Sequence, residues 1–265
     1  MKRTAVAPAS RAPWVWATAG ALLGLMVVPV LLAPARWLTA AIEQSSGNRI
    51  QFFDPRGSVW DGSAQLVLTG GAGSVDAVAL PGRISWRLRP IWRGATAHIF
   101  SDCCTREPLA VTITALGKQG VTATLADSQS EWPAALLTGL GTPWNTIRPQ
   151  GRLALATHQL GVQWLDGRVV LLGDLQLDAQ QMSTRLSTLV PMGSYRVNLV
   201  GGATPSFQLS TVEGSLQLQG QGQWIGSALR FRGEASASPG RVEALSNLLN
   251  IIGRRDGARS AISVG

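Results

Sequence analysis

The sequence predicts a mainly β protein: one N-terminal transmembrane helix, then a twisted antiparallel β-sheet domain with a short C-terminal amphipathic helix. Three observations carry that prediction. The stretch from Trp14 to Ala33 contains no charged residue. Behind it, apolar and polar residues alternate with a period of two in segment after segment. One late segment instead spaces its apolar residues as a helix does.

The apolar stretch reads WVWATAGALLGLMVVPVLLA. At about 1.5 Å per residue in a helix it covers a hydrocarbon core of about 30 Å. The leader, residues 1–13, carries Lys2, Arg3 and Arg11, whereas the other flank offers Arg36 alone before Glu43. By the positive-inside rule the leader stays in the cytoplasm, residues 14–34 form the anchor and residues 35–265 are translocated. Trp14, Trp16 and Trp37 stand near the two ends, where indoles prefer the headgroup layer, and Pro29 is tolerated close to a helix end. The rival is a cleavable signal peptide with Ala33-Pro34-Ala35 as its A-x-A site. A signal core is usually about 7–15 apolar residues, so the length here favours an uncleaved anchor.

The translocated part is long enough for one large or two small domains with a genuine core. Charged residues make up only 14% of the chain, against 30 Gly and 14 Pro, a balance that suits a β-rich domain full of turns. The net charge of +8 and pI near 11.1 do not indicate nucleic acid. Three of the positive charges lie in the leader, and the others, nearly all Arg, are scattered singly with no recognition motif. Anionic lipid headgroups beside the anchor account better for a basic surface.

Alternation is clearest in Ala64–Leu68, Arg83–Arg89, Ala110–Thr114, Val121–Leu125 and Gly151–Ala156. It continues in Val169–Leu177, Tyr195–Val200, Ser215–Gln219 and Ala228–Arg232. Gly-Arg, Gly-Ser, Gly-Gly or Asp-Gly punctuates most of these runs, as hairpins require. The expected product is antiparallel sheet with one polar and one apolar face. Trp132-Pro133-Ala134-Ala135-Leu136-Leu137 predicts a short helix, with Pro in the first turn and Gly139 at its end. A second helix is expected over 242–252. It opens after Pro239-Gly240, with Val242, Leu245, Leu248, Leu249 and Ile252 as one stripe and Gly253 as its stop. Arg254 and Arg255 follow where they complement the helix dipole. Such a helix caps an open sheet face, the alternative being contact with a membrane or partner. The break near 131–150 divides the strands into two halves, about 50–130 and 150–235. Val59-Trp60-Asp61-Gly62 is echoed by Gln163-Trp164-Leu165-Asp166-Gly167, which is weak evidence for a duplicated unit.

No catalytic constellation is present in the sequence. The two histidines, His98 and His158, have no motif-linked nucleophile, and neither a Gly-x-Ser-x-Gly elbow nor a phosphate loop occurs; Lys118 follows Gly117 but precedes Gln-Gly. Asp61, Asp166, Asp174 and Glu213 sit mostly beside Gly, where turn roles suit them better than acid–base work. The site expectation is therefore empty: no catalytic, cofactor-binding or metal residue, no cofactor, and no enzyme activity. Cys103-Cys104 and the two histidines do not make a zinc set. A disulfide between these neighbours is open in an oxidising compartment, with two plain thiols near a loop ending at Pro108 as the simpler reading. The chain has ten Trp against one Tyr. Trp60, Trp86, Trp92, Trp144, Trp164 and Trp224 fill a thin β core, or form a sugar-binding or partner platform.

Several of these segments resemble one family. Gly57-Ser58-Val59-Trp60-Asp61-Gly62-Ser63-Ala64 is similar to the Gly-x-x-Trp-x-Gly-x-Ala turn and strand of general secretion pathway protein N, the GspN family. In the family's order there follow Trp86-Arg87-Leu88-Arg89-Pro90, then Leu136-Leu137-Thr138-Gly139-Leu140-Gly141-Thr142-Pro143 leading into Pro149-Gln150-Gly151, and finally Leu248-Leu249-Asn250-Ile251-Ile252-Gly253-Arg254-Arg255. The resemblance implies a bacterial inner-membrane component of the type II secretion system, which exports folded proteins from the periplasm across the outer membrane. It implies a periplasmic domain, other secretion components as partners, and no catalytic or cofactor residue; inner-membrane lipids are expected as partners from the basic surface beside the anchor. Members are also similar to AsmA-like proteins, whose sheets curl into apolar grooves.

The expectation is a single-pass protein with a cytoplasmic N-terminus whose periplasmic sheet is an assembly or interaction module, pairing through a strand edge or a Trp-bearing face. Lipid or amphiphile handling in an AsmA-like groove is the alternative, and glycan binding through the Trp set a third reading. The sequence assigns no secretion component and no small-molecule ligand.

Overall fold

The computed structural model describes residues 14–117, 120–165, 167–226 and 228–265. The leader 1–13, Lys118 and Asp166 lie outside these described residues. The chain opens with α1 (Trp14–Leu31) and α2 (Ala35–Ser45), followed by β1 (Ile50–Gly57), β2 (Asp61–Thr69), β3 (Ala77–Ala79), β4 (Ile84–Ile91) and β5 (Gly94–Ser101). Next come β6 (Leu109–Ala115), β7 (Gly120–Leu125), β8 (Ser128–Pro133), a 3₁₀ segment Ala134–Leu140 and the single turn α3 (Trp144–Ile147). The second part holds β9 (Gln150–Leu165), β10 (Arg168–Ser183), β11 (Gly193–Gly202), β12 (Ser206–Gly214), β13 (Leu216–Ile225) and β14 (Ala228–Ala237). Then α4 (Ser246–Ile252), β15 (Arg254–Asp256) and β16 (Arg259–Val264) finish it.

These strands form one antiparallel sheet in the order β1-β2-β4-β5-β6-β7-β9-β10-β11-β12-β13-β14-β16-β15, with β3 added to β2 and β8 to β9. The order follows the chain closely, so the sheet is a meander whose turns alternate between two ends. At about 4.8 Å per step it is roughly 60 Å across, broad enough to need cover at several places. β9 takes part twice: its first half pairs with β8, from Pro133↔Arg152 to Ser128↔Thr157, and its second half with β7. Strands on both sides of the break near 131–150 therefore share one ladder.

β13 shows why the sequence makes a sheet with two unlike faces. Gln217, Gln219, Gln221 and Gln223 are exposed, while Leu216, Leu218, Gly220, Gly222 and Trp224 point the other way and are buried or half-buried. Three caps cover parts of the apolar face. Ala35 of α2 packs with Ala64 and Trp86, flanked by Leu38, Phe52 and Leu88. Leu136 of the 3₁₀ segment joins Leu80 and Cys104 beside Leu66, Val78, Ile84 and Trp132. Leu248 and Leu249 of α4, with Leu245, close over Met182, Met192, Tyr195, Leu216 and Ala235.

Several expectations are corrected in detail. Trp132 and Pro133 belong to β8, not to a helix; Pro133 has extended dihedrals and the helical turns that follow are 3₁₀ over Ala134–Leu140. The helix expected over 242–252 is α only from Ser246, because residues 239–245 form turns. Its apolar stripe is inward all the same. The first helix ends at Leu31, two residues before the end of the uncharged stretch, and Pro34 pairs with Ser58. Among the described residues no helix is long and apolar enough to cross a membrane; eighteen residues of α1 rise about 27 Å.

Candidate interaction surface

The junction between α1 and the sheet is built by the Gly57–Ala64 turn. Gly57 takes φ +83°, which favours glycine, and the Ser58 amide donates to the Asp61 carbonyl at 2.8 Å. That tight turn aims two groups back at the helix end. The Val59 amide donates to the Ala33 carbonyl at 2.8 Å, and the Trp60 indole N–H donates to the Val30 carbonyl at 2.7 Å. Helices leave their last carbonyls unpaired, and here Trp60 supplies one of the donors. Behind the turn, the buried Trp86 indole donates to the Val59 carbonyl at 3.1 Å, with Phe52 edge-on at 6.5 Å. A Cβ on Gly62 would stand 2.6 Å from that indole, so glycine is required for the indole to lie flat on the strand. Trp60 and Trp86 are thus structural members of a clamp.

From this clamp the apolar face runs across the sheet in register. Leu88, Ala97, Val111 and Leu125 lie opposite one another on successive strands. Ala115, Val121, Trp164 and Val169 form a second row nearer the turns. No cap reaches that row, and Val121, Trp164 and Val169 are exposed. In the second half the rings of Phe207 and Phe231 stack at 5.4 Å, with Trp224 at 5.5 Å from Phe207. They lie over strand glycines: a Cβ on Gly220 would meet Phe231 at 2.6 Å, and one on Gly222 would collide with Phe207. The result is a broad, shallow, aromatic-lined apolar face. The opposite, polar face carries a cleft of about 660 Å³ bordered by Asn198, Gln208, Gln221, Gln223, Arg230 and Arg232.

Several carboxylates of the sheet are paired locally. Asp178 accepts from Arg196 at 2.6 Å and from Gln176 at 2.9 Å; the Arg196 hydrogen bond holds its carboxyl below the ordinary value. Asp54 is held low by Arg56 and Arg83, in a bulge where its own φ is +50°. Asp61 pairs with Arg87 at 3.1 Å, and Glu213 accepts from Ser194 at 3.2 Å. His158 lies 2.9 Å from Asp127, while His98 is on β5 and exposed. Burial pushes the Tyr195 phenol well above its usual range, and its hydroxyl has no hydrogen-bond partner. Among the described residues no group of three His, Cys, Asp or Glu is placed to hold a metal.

Cys103 and Cys104 form a disulfide in the β5–β6 loop, with Cys104 buried beneath Leu80 and Leu136. The reading as two plain thiols is therefore overturned: the chain turns at Asp102–Cys104, which brings the two neighbouring side chains together. Both sheet edges are covered in part. α2 packs along β1, and the three-residue β15 shields Arg259–Ala261 of β16. Sequence reasoning missed α2, although Ala35, Leu38, Thr39 and Ile42 carry helical spacing, and it missed the aromatic layer because Phe207 and Phe231 are far apart in the chain.

No curated protein and no solved structure matches this chain. A family model does: the one described as "Type II secretion system (T2SS), protein N" matches residues 48–262, from just before β1 into β16. With its motifs standing at the clamp, in the 3₁₀ cap and on α4, the chain belongs to the type II secretion system protein N family.

Proposed function

We propose that this secretion component is a non-catalytic assembly module, anchored once in the inner membrane with its N-terminus in the cytoplasm and its sheet in the periplasm. The observation that carries the reading is the clamp: Trp60, Val59 and Pro34 fasten the end of an uncharged helix to a rigid sheet, as a tether requires. α1 is apolar on every side, and its large side chains from Trp16 to Leu31 are exposed; a helix of that kind is at home in lipid. Leu32 and Ala33 extend the uncharged stretch to the 20 residues of Trp14–Ala33. A disulfide at Cys103–Cys104 fits an oxidising compartment. The leader 1–13 then stays cytoplasmic, residues 14–34 are the anchor, and 35–265 form the periplasmic part. Other secretion components are its partners, met on the uncovered apolar face or at the half-shielded edge of β16. In-membrane crosslinking from Trp224 and Val111, each replaced by a photoreactive residue, tests this. Secretion components should appear among the products; adducts confined to lipid would count against it.

Amphiphile handling is the second reading, favoured by the aromatic layer of Phe207, Phe231 and Trp224 facing an uncovered apolar surface. Mass spectrometry of organic extracts of the purified full chain separates the two. Phospholipid retained near one per chain supports handling; none retained supports the assembly module alone.

A further inference from the structure

We infer that one end of the sheet is itself a membrane-docking rim: the tip at Ile91–Arg93 and the neighbouring strand ends at Val121, Trp164 and Arg168–Val169 dip into an anionic headgroup layer, with Trp92 and Trp164 as interfacial anchors. This rests on the reading of α1 as an anchor.

The topology decides which end is involved. In a meander successive turns alternate, so the β1–β2, β4–β5, β6–β7 and β9–β10 turns share one end. The β1–β2 turn is the one that grips the end of α1. The Leu88 amide donates to the Trp60 carbonyl at 2.7 Å, and β4 continues three residues past that point to Ile91, about 10 Å further toward the side from which the helix enters. The next tips adjoin it. The Ala115 amide donates to the Arg93 carbonyl at 2.8 Å, and Val121 stands opposite Trp164.

What these tips carry is unusual for a water-facing turn. Trp92 is 97% exposed, Val169 67% and Trp164 61%, with Ile91 and Val121 beside them. Exposed Arg89, Arg93 and Arg168 border the same patch. Indoles with arginines at one level are the composition of a membrane interface, where the rings sit among headgroups and the guanidinium groups meet anionic phosphates. The opposite end offers Val75 and Val190 singly, and its indole, Trp144 near exposed Arg148, is only 37% exposed against 97% for Trp92.

The test uses the full chain in vesicles of phosphatidylcholine and phosphatidylglycerol, with a nitroxide at Trp92→Cys, Trp164→Cys or the control Val190→Cys. The native cysteines are bonded to each other and take no label. Labels at 92 and 164 should be shielded from a water-soluble nickel chelate roughly fivefold more than at 190, and the contrast should shrink in phosphatidylcholine alone. Equal accessibility at all three positions overturns the rim, and contrast unchanged without anionic lipid overturns the anionic assignment. A chain that fails to float with the vesicles overturns the anchor and the rim together; one that floats with its tips in water overturns the rim only. A label-free arm guards against misfolding: the double variant Trp92→Phe, Trp164→Phe should lose part of the indole emission quenched by brominated lipid, and undiminished quenching contradicts the proposal.

Discussion

Tyr195 is the residue where burial and polarity conflict most. Its ring belongs to the core under α4, and its hydroxyl is buried without a partner. A buried unsatisfied hydroxyl costs about 1–3 kcal/mol, so Tyr195→Phe should leave stability unchanged or raise it by about 1 kcal/mol; a fall in the denaturant midpoint would show that the hydroxyl is bonded after all. Asp178 shows the opposite case. Its folded pKa is depressed by Arg196, so the pair's contribution is present above the ordinary carboxylate pKa near 4 and is lost as pH falls through the folded value. In Asp178→Asn the loss of stability between pH 7 and pH 3 should be smaller than in the wild type. Parallel pH profiles for the two proteins would contradict this.

The clamp and α4 behave as elements. Trp86→Ala removes a buried ring that touches Phe52 and holds the Val59 carbonyl, and should cost about 3–5 kcal/mol, with amide exchange accelerating first in β1 and β2. Leu249 is fully buried, and Leu249→Ala should cost about 2–5 kcal/mol, with exchange rising in β13 and β14 and little change near the clamp. Uniform acceleration in either variant would mean that the caps do not stabilise separate regions. The strands legible in the sequence were those that set large aliphatic against polar residues, such as β10 and β13. β5 was not legible, because Gly94-Ala95-Thr96-Ala97 alternates among small residues. β12 does alternate Phe207 and Leu209 against Ser206, Gln208 and Ser210, but the pattern breaks after five residues at Thr211-Val212-Glu213. The turn at Gly57–Ala64 stood out as a motif, but its partners Val30 and Ala33 are distant in sequence, so its role as a clamp shows only in the fold. Cys103 and Cys104 carried no spacing signal that distinguishes thiols from a bond.

For the whole molecule, the long meander explains why the core expected from the chain is divided among three capped regions. Each cap covers one region, and the apolar rows between the caps remain open for a partner. The tether and the open face together make the central claim: a membrane-held secretion module that works by contact. The most direct test is export of a type II substrate in a strain lacking this gene, complemented either with the full chain or with residues 35–265 delivered to the periplasm by a cleaved signal. The account predicts that export falls on deletion, returns with the full chain, and returns poorly with the released domain. Normal export in the deletion strain, or full rescue by the untethered domain, would contradict it.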